Sequence, residues 1–402
     1  MIPNHTTLDL ETSIKNRGDD SIGDFKAAPY HPDNKIVSAG FLVGDKYTDW
    51  YYTEESRDKF HNKEATLLVG QNIKFDLLYL LKTFKWYREE LVKHHTVWDT
   101  QLAEYLLTGQ ESQYASLNEM SRKYGGTQKK DIIKEYWDKD VDTEDIPKDE
   151  LMEYMEYDVR NTELIFQAQY VEAEERGILP LIESQMDAIL ATTEMEYNGM
   201  CFDKPLAKEY IAPLLAEMEP IEAAILDTLE AGLPHFGTKL SPYSAGSGDQ
   251  ISLYLFGGEY KGREWLPVGA NSDHEVVLIK SGKNKGQVRH KYVYDTYEAP
   301  QRCVPKEAWK LKKAHLYQVD EKVLKTVKSS CKDEETRTFI TNVLKYRELN
   351  KELSTYLVGY SNLAWPEDGM WYMHGRFNHT ATDTGRLSSS KPNLQNVSGK
   401  GE

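Results

Sequence analysis

The spacing of apolar residues changes character near Pro180, and that change limits the folds open to this 402-residue chain. Before it, TTLDLET alternates apolar and polar positions, and KIVSAGFLVG is a β-branched run cut by Gly40 and Gly44. TLLVG is a short buried run that leads into DLLYLLKTF, where the spacing becomes helical. These segments predict an α/β domain closing with a helix around 149–172. After Pro180 the pattern is long and helical. Leu181 to Tyr197 runs up to Asn198-Gly199, a helix stop, and Leu206, Tyr210, Ile211, Leu214, Leu215, Met218, Ile221, Ile225 and Leu229 keep helical spacing up to Gly232. Residues 234–317, rich in Gly, Ser and Lys, predict turns and short strands. A further helix presents Phe339, Ile340, Val343, Leu344, Leu349, Leu353 and Tyr356 on one face. The last stretch, 366–402, carries aromatics and then small polar residues.

Composition bears on the partner. A hydrophobic share of 40% with 28% charged residues suits a globular protein with a sizeable core. No apolar run approaches the roughly 18 residues of a membrane span, and MIPNHTTLDLETS lacks the pattern of a signal peptide. Cys201, Cys303 and Cys331 are too widely spaced to read as a disulfide framework or a zinc site. A cytoplasmic protein is the expectation. The net charge of -16 argues against a nucleic-acid partner, but the charge is uneven. Between 276 and 315 stand Lys280, Lys283, Lys285, Arg289, Lys291, Arg302, Lys306, Lys310, Lys312 and Lys313 against Asp295, Glu298 and Glu307. That strip is either a phosphate track or a solvated lysine-rich loop.

Three acidic pieces stand out. Asp9 and Glu11 sit two apart in an apparent strand, which puts both carboxylates on one face and Leu8 and Leu10 on the other. Hard divalent cations need several carboxylate oxygens on a rigid base, and a strand provides one. Asp76 ends GQNIKFD, which follows TLLVG and opens a helix; an anion is favoured there, though capping is also a common use for such an Asp. Tyr154 and Asp158, in YMEYD, lie one helical turn apart on one face. Singly, each piece also reads as an ordinary surface or capping group. At the far end, TGRLSSSKPNLQN follows no generic turn or core pattern. In it, Gly385 allows close backbone approach, the serine hydroxyls can meet phosphates, and Arg386 can enter a minor groove.

Taken together and in this order, LDLET, GQNIKFD and YMEYD resemble the three motifs of the DEDD exonucleases of the subclass with a tyrosine. The resemblance implies a ribonuclease-H-like fold and two Mg²⁺ or Mn²⁺ ions. By it, Asp9, Glu11 and Asp158 hold the tighter metal and Asp76 reaches the second through water. Tyr154, with Glu11, would position the attacking hydroxide. Gln71, Asn72 and Phe75 match positions that touch terminal nucleotides in that family. TGRLSSSKPNLQN resembles the segment before the first catalytic palm motif of family A DNA polymerases, which implies a hold on the primer–template duplex by Arg386, Asn393 and Gln395. MEYNGMCFD and YQVDEKVL resemble thumb segments, and LKYRELNKELSTYL resembles the helix leading back to the palm. Asp383 departs from the family, whose members usually carry a small or neutral residue there.

The resulting expectation is an α/β ribonuclease-H-like exonuclease domain at 1–175. A mostly α-helical thumb at 180–365, with an insertion at about 257–315, and the start of an α/β palm at 366–402 would follow. The family's palm aspartate strand, fingers helix and final His-Asp pair do not occur by Glu402. The expectation is therefore a split or truncated polymerase, weakly phage-like, acting on single-stranded 3' ends and primer–template duplex. A second polypeptide would supply palm and fingers, with no membrane partner. The alternative is a non-catalytic DNA-binding clamp subunit.

Overall fold

The alternating segment TTLDLET becomes the middle strand of a five-stranded sheet. The structure, a computed structural model, describes residues 2–15, 27–51, 67–84, 87–94, 96–128, 132–236, 243–268, 277–279, 285, 287–312 and 316–397. They divide between two compact units, 1–204 with 360–402, and 205–359. These units cut the chain at different places from the three sequence segments. The helix after Pro180 and the 366–402 stretch both fall with the first unit.

In the first unit, β1 (His5–Thr12), β2 (Ile36–Val43) and β3 (Lys46–Tyr51) form an antiparallel meander. β4 (Leu67–Gly70) pairs parallel with β1, and β5 (Thr96–Asp99) parallel with β4, giving the order β3-β2-β1-β4-β5. Between and after these strands come α1 (Lys74–Thr83), α2 (Tyr87–His94), α3 (Thr100–Leu107), α4 (Leu117–Tyr124), α5 (Ile132–Trp137), α6 (Lys148–Glu175) and α7 (Leu179–Asn198). Leu8 and Leu10 of β1, Leu68 and Val69 of β4, Leu77 of α1 and Phe166 of α6 belong to one buried cluster. Burial of such side chains contributes roughly 1.5–3 kcal/mol each. The helix α6 lies across β1 and β2. It can come close because β2 carries Gly40, where a Cβ would stand 2.8 Å from Met155 Cγ. Gly40 is also the register partner of Asp9. The short strand β6 (Met200–Cys201) ends the first part of this unit.

The second unit contains α8 (Lys204–Gly232), α9 (Gly248–Phe256), the antiparallel pair β7 (Gly258–Pro267) and β8 (His290–Ala299), α10 (Glu321–Ser330) and α11 (Glu334–Lys351). Ile225, Leu229, Ile251, Leu255, Leu324, Phe339 and Ile340 form its core. The prediction of turns and short strands for 234–317 is corrected here. The helix α9 starts on a Ser247 cap, and β7 and β8 are ten residues each. Burial explains the first miss: Gln250 to Phe256 are buried without a break, so α9 shows no apolar stripe. Exposure explains the second, because β8 is exposed along most of its length and has no alternating face. The α11 helix widens into a π-helical turn over Glu352–Gly359.

The chain then returns to the first unit through α12 (Tyr360–Leu363), β9 (Ala364–Glu367), β10 (Met370–Met373), β11 (Arg376–Asn378) and β12 (Ser388–Ser390). β10 pairs with both β9 and β6, and β11 pairs with β12. Among the described residues no helix is long and apolar enough to cross a membrane.

Candidate active site

Strand parity sets the first half of the site. Residues 5, 7, 9 and 11 of β1 share a face, and α6 packs on that strand. At one end of β1, the Glu163 carboxylate accepts from His5 Nε2 at 2.9 Å and from the Thr7 hydroxyl. Gln167, one turn on, also donates to it. At the other end, oxygens of Asp9, Glu11 and Asp158 all lie within 4.8 Å of one another. Helix and strand are thus held in register by a satisfied carboxylate, and three carboxylates are brought together five residues away along α6. Glu11 and Asp158 are buried; Asp9 is half-buried. Beside Glu11 in the β1–β2 register stands Ser38, a buried hydroxyl with no hydrogen-bond partner among the described residues. Three acids converging in a largely buried place carry mutual repulsion that a cation would relieve. An all-oxygen donor set of this kind fits a hard divalent ion.

Asp76 is not one of the three carboxylates that gather. It is buried on α1, and its Oδ1 accepts the Leu10 N–H at 3.0 Å. That N–H is free to be taken because the pairing of β1 with β4 ends at Thr7. Burial, and then the charge of Asp9, hold the Asp76 carboxyl well above the usual range. Tyr154 lies one turn before Asp158 on α6 and packs beside Val37, Ile133, Ile146 and Leu151.

Sequence reasoning did not single out Asp99. It caps α3 through the N–H groups of Gln101 and Leu102, and its other oxygen accepts from the Ile73 N–H at 3.0 Å. One carboxylate therefore fixes the start of α3 and the turn that opens α1. Burial outweighs these bonds and pushes Asp99 up to about 6. Its signal in the sequence, an Asp before a helical run, was that of any cap. Glu163, His5 and Thr7 were also missed. His5 and Thr7 share the parity of Asp9 and Glu11, which was the available clue.

The three residues matched to strand contacts separate. Gln71 is turned inward, donating to the Ala115 carbonyl at 3.2 Å and accepting from the Thr100 hydroxyl at 2.8 Å. Asn72 is exposed, with a left-handed φ of 52°, and Phe75 is half-buried against Tyr79. Asn72 and Phe75 line a cavity of about 290 Å³ together with Tyr30, Asp99, Gln101 and Asn378.

In the last segment Arg386, Asn393 and Gln395 are exposed. The Thr382 hydroxyl closes the loop on the Arg386 carbonyl at 2.9 Å, and the buried Ser389 hydroxyl accepts the Leu394 N–H at 3.1 Å. The loop rests on the α3 end of the sheet domain. Tyr105 donates to the Thr382 carbonyl, and Gln113 donates to Asp383 at 2.9 Å. Of the basic strip, Lys285, Arg289, Lys291, Lys306, Lys310 and Lys312 are exposed, while Arg302 stacks over Tyr254. Lys280, Lys283 and Lys313 lie outside the described residues.

Comparison with known proteins bears on both halves. Residues 55–168 match the family described as 3'-5' exonuclease, a span that includes Asp76, Tyr154 and Asp158 and begins after Asp9 and Glu11. Residues 287–402 match DNA polymerase family A. The thermostable DNA polymerase I of Thermus filiformis is 58% identical over 216 residues, 54% of this chain and 18% of that one. That of Thermus aquaticus is 51% identical over 63 residues, 16% of this chain and 7% of that one. The matched stretches are thus a minor part of both relatives. The POL domain of Pol1 from M. smegmatis, solved in complex with DNA primer-template and dNTP, shares the fold at a TM-score of 0.61 and 16% identity. That likeness covers 100% of this chain and 53% of that one. The chain thus carries one stretch similar to the 3'-5' exonuclease family and another similar to DNA polymerase family A.

Proposed function

We propose that the chain removes nucleotides from DNA 3' ends by metal-assisted hydrolysis, as the proofreading part of a DNA polymerase. The observation that carries this reading is the convergence of Asp9 and Glu11 with Asp158, the last of which lies in the 55–168 stretch matched to 3'-5' exonucleases. The sheet order, with an antiparallel meander continued by two parallel strands, supports a ribonuclease-H-like fold at 1–175. Residues 180–365, mostly helical with the β7–β8 pair among the helices, are read as a thumb and 366–402 as the start of a palm.

Asp9, Glu11 and Asp158 would hold a divalent cation, Mg²⁺ or Mn²⁺, and Asp76 would serve a second. Bound there, such ions acidify water and offset charge on the phosphate and the leaving 3'-oxygen. The chain's own groups do the rest. Glu11 and the Tyr154 hydroxyl orient the attacking water, and Asn72 and Phe75 hold the strand end. Arg386, just before β12, and Asn393 and Gln395, just after it, are each exposed and hold duplex DNA through backbone and minor-groove contacts.

The test is a 5'-labelled single-stranded oligonucleotide with Mg²⁺. The expected product is a ladder shortened from the 3' end, with release of nucleoside monophosphates. An intact oligonucleotide would overturn the catalytic reading.

A further inference from the structure

Glu196, near the end of α7 and within MEYNGMCFD, is not among the candidate site residues, yet it joins the two halves of the first unit. Its side chain is 3% exposed, and one oxygen, Oε1, accepts from the Lys74 ammonium at 2.6 Å and from the Phe377 N–H at 2.6 Å. Lys74 also donates to the Phe377 carbonyl. The Glu196 main-chain carbonyl accepts from His374 Nδ1 at 2.8 Å. The geometry needs glycine three residues on. Gly199 has φ 63°, and a Cβ there would stand 2.8 Å from the His374 ring. Lys74 is the first residue of α1, two after Asn72 and two before Asp76.

We propose that Glu196 is a positioning residue for the exonuclease site, holding the start of α1, with Asn72, Phe75 and Asp76, against residues 374–377. The proposal rests on the nuclease reading only in assigning Asn72 and Phe75 to the strand end. A buried ion pair adds little to stability compared with apolar packing, and losing one partner strands the other charge. What this pair supplies is a fixed position. Its acceptor serves a side chain from one segment and a main-chain amide from another, so neither segment can shift without breaking a bond to the same oxygen.

The test compares the whole chain with Glu196→Gln, which keeps a carbonyl for Phe377 and loses the charge that holds Lys74. Amide hydrogen exchange should quicken by about tenfold at both 73–78 and 374–378, with β4 and β5 unchanged. Exchange confined to 374–378 would overturn the proposal whether or not the protein cleaves DNA. If it does cleave, KM for the single-stranded oligonucleotide should rise about tenfold while kcat changes less than about twofold. A fall in kcat alone, in step with the folded fraction, would mark Glu196 as packing only. An inactive wild type would sink the nuclease reading and leave exchange to decide this one. Should Glu196→Gln fail to fold, Lys74→Met must loosen 374–378 while Lys74→Arg must not; equal behaviour of the two would also overturn the proposal.

Discussion

The first unit buries carboxylates in two opposite ways. Around Asp9, Glu11 and Asp158, acid faces acid. Around Glu196, the acid faces an ammonium and a main-chain amide at 2.6 Å each. The second grouping is complete in itself and can only hold things together. The first brings three carboxylates within 4.8 Å of one another, the arrangement on which the proposed metal site rests. Glu163, which takes bonds from His5, Thr7 and Gln167, belongs with Glu196. The two groupings therefore differ in what faces the acid: other carboxylates in the first, an ammonium and an amide in the second.

Substitution should split the two groupings sharply. Under the proposed metal site, Asp9→Ala should lower cleavage of a single-stranded oligonucleotide by on the order of 10³-fold, because a ligand of the proposed cation is lost. The same change should leave thermal stability equal or higher, because it removes like-charge repulsion. Glu196→Ala should behave in reverse as a stability mutant, costing about 3 kcal/mol in denaturant unfolding by stranding Lys74. If Asp9→Ala destabilised the protein as much as Glu196→Ala, the contrast between the groupings would be gone.

Divalent cations sharpen the same contrast. Mg²⁺ or Mn²⁺ at about one hundred times its dissociation constant should stabilise the wild type by about 2.7 kcal/mol in thermal unfolding. Asp158→Ala should lose that gain, and Glu196→Gln should keep it. A gain retained in Asp158→Ala would place the ion elsewhere.

How far these groupings could be read from the sequence follows from range. The Asp9–Glu11 face needed only strand parity, and the Tyr154–Asp158 pair only the helical turn, so both were legible. The β1, α6, α7 and α8 segments were legible for the same reason: each keeps one face apolar. The buried α9 and the largely exposed β8 defeated periodicity from opposite sides. Glu196 and Lys74 are 122 residues apart, and nothing local in either segment announces the other. The inward turn of Gln71 was likewise invisible, because its partners Ala115 and Thr100 come from α3 and the loop beyond it.

The His5–Glu163 pair offers the smallest effect and a test of what aligns α6 on β1. Burial opposes charge on His5, but the bond to Glu163, the bond to the Pro3 carbonyl and the charge of Glu163 outweigh it and raise its pKa above 6.5. Burial likewise opposes charge on Glu163, and the bonds from His5, Thr7 and Gln167 outweigh it and hold its pKa below 4.5. The raised histidine contributes stability that is whole below 6.5 and fades as pH rises through its folded value. The depressed glutamate contributes above 4.5 and fades as pH falls. Both are present together between 4.5 and 6.5. His5→Gln should therefore cost about 1 kcal/mol in urea unfolding within that window, and measurably less as pH is raised well above it. A cost that does not change with pH would mean that a neutral hydrogen bond, rather than a charged one, sets the register bringing Asp158 to Asp9 and Glu11.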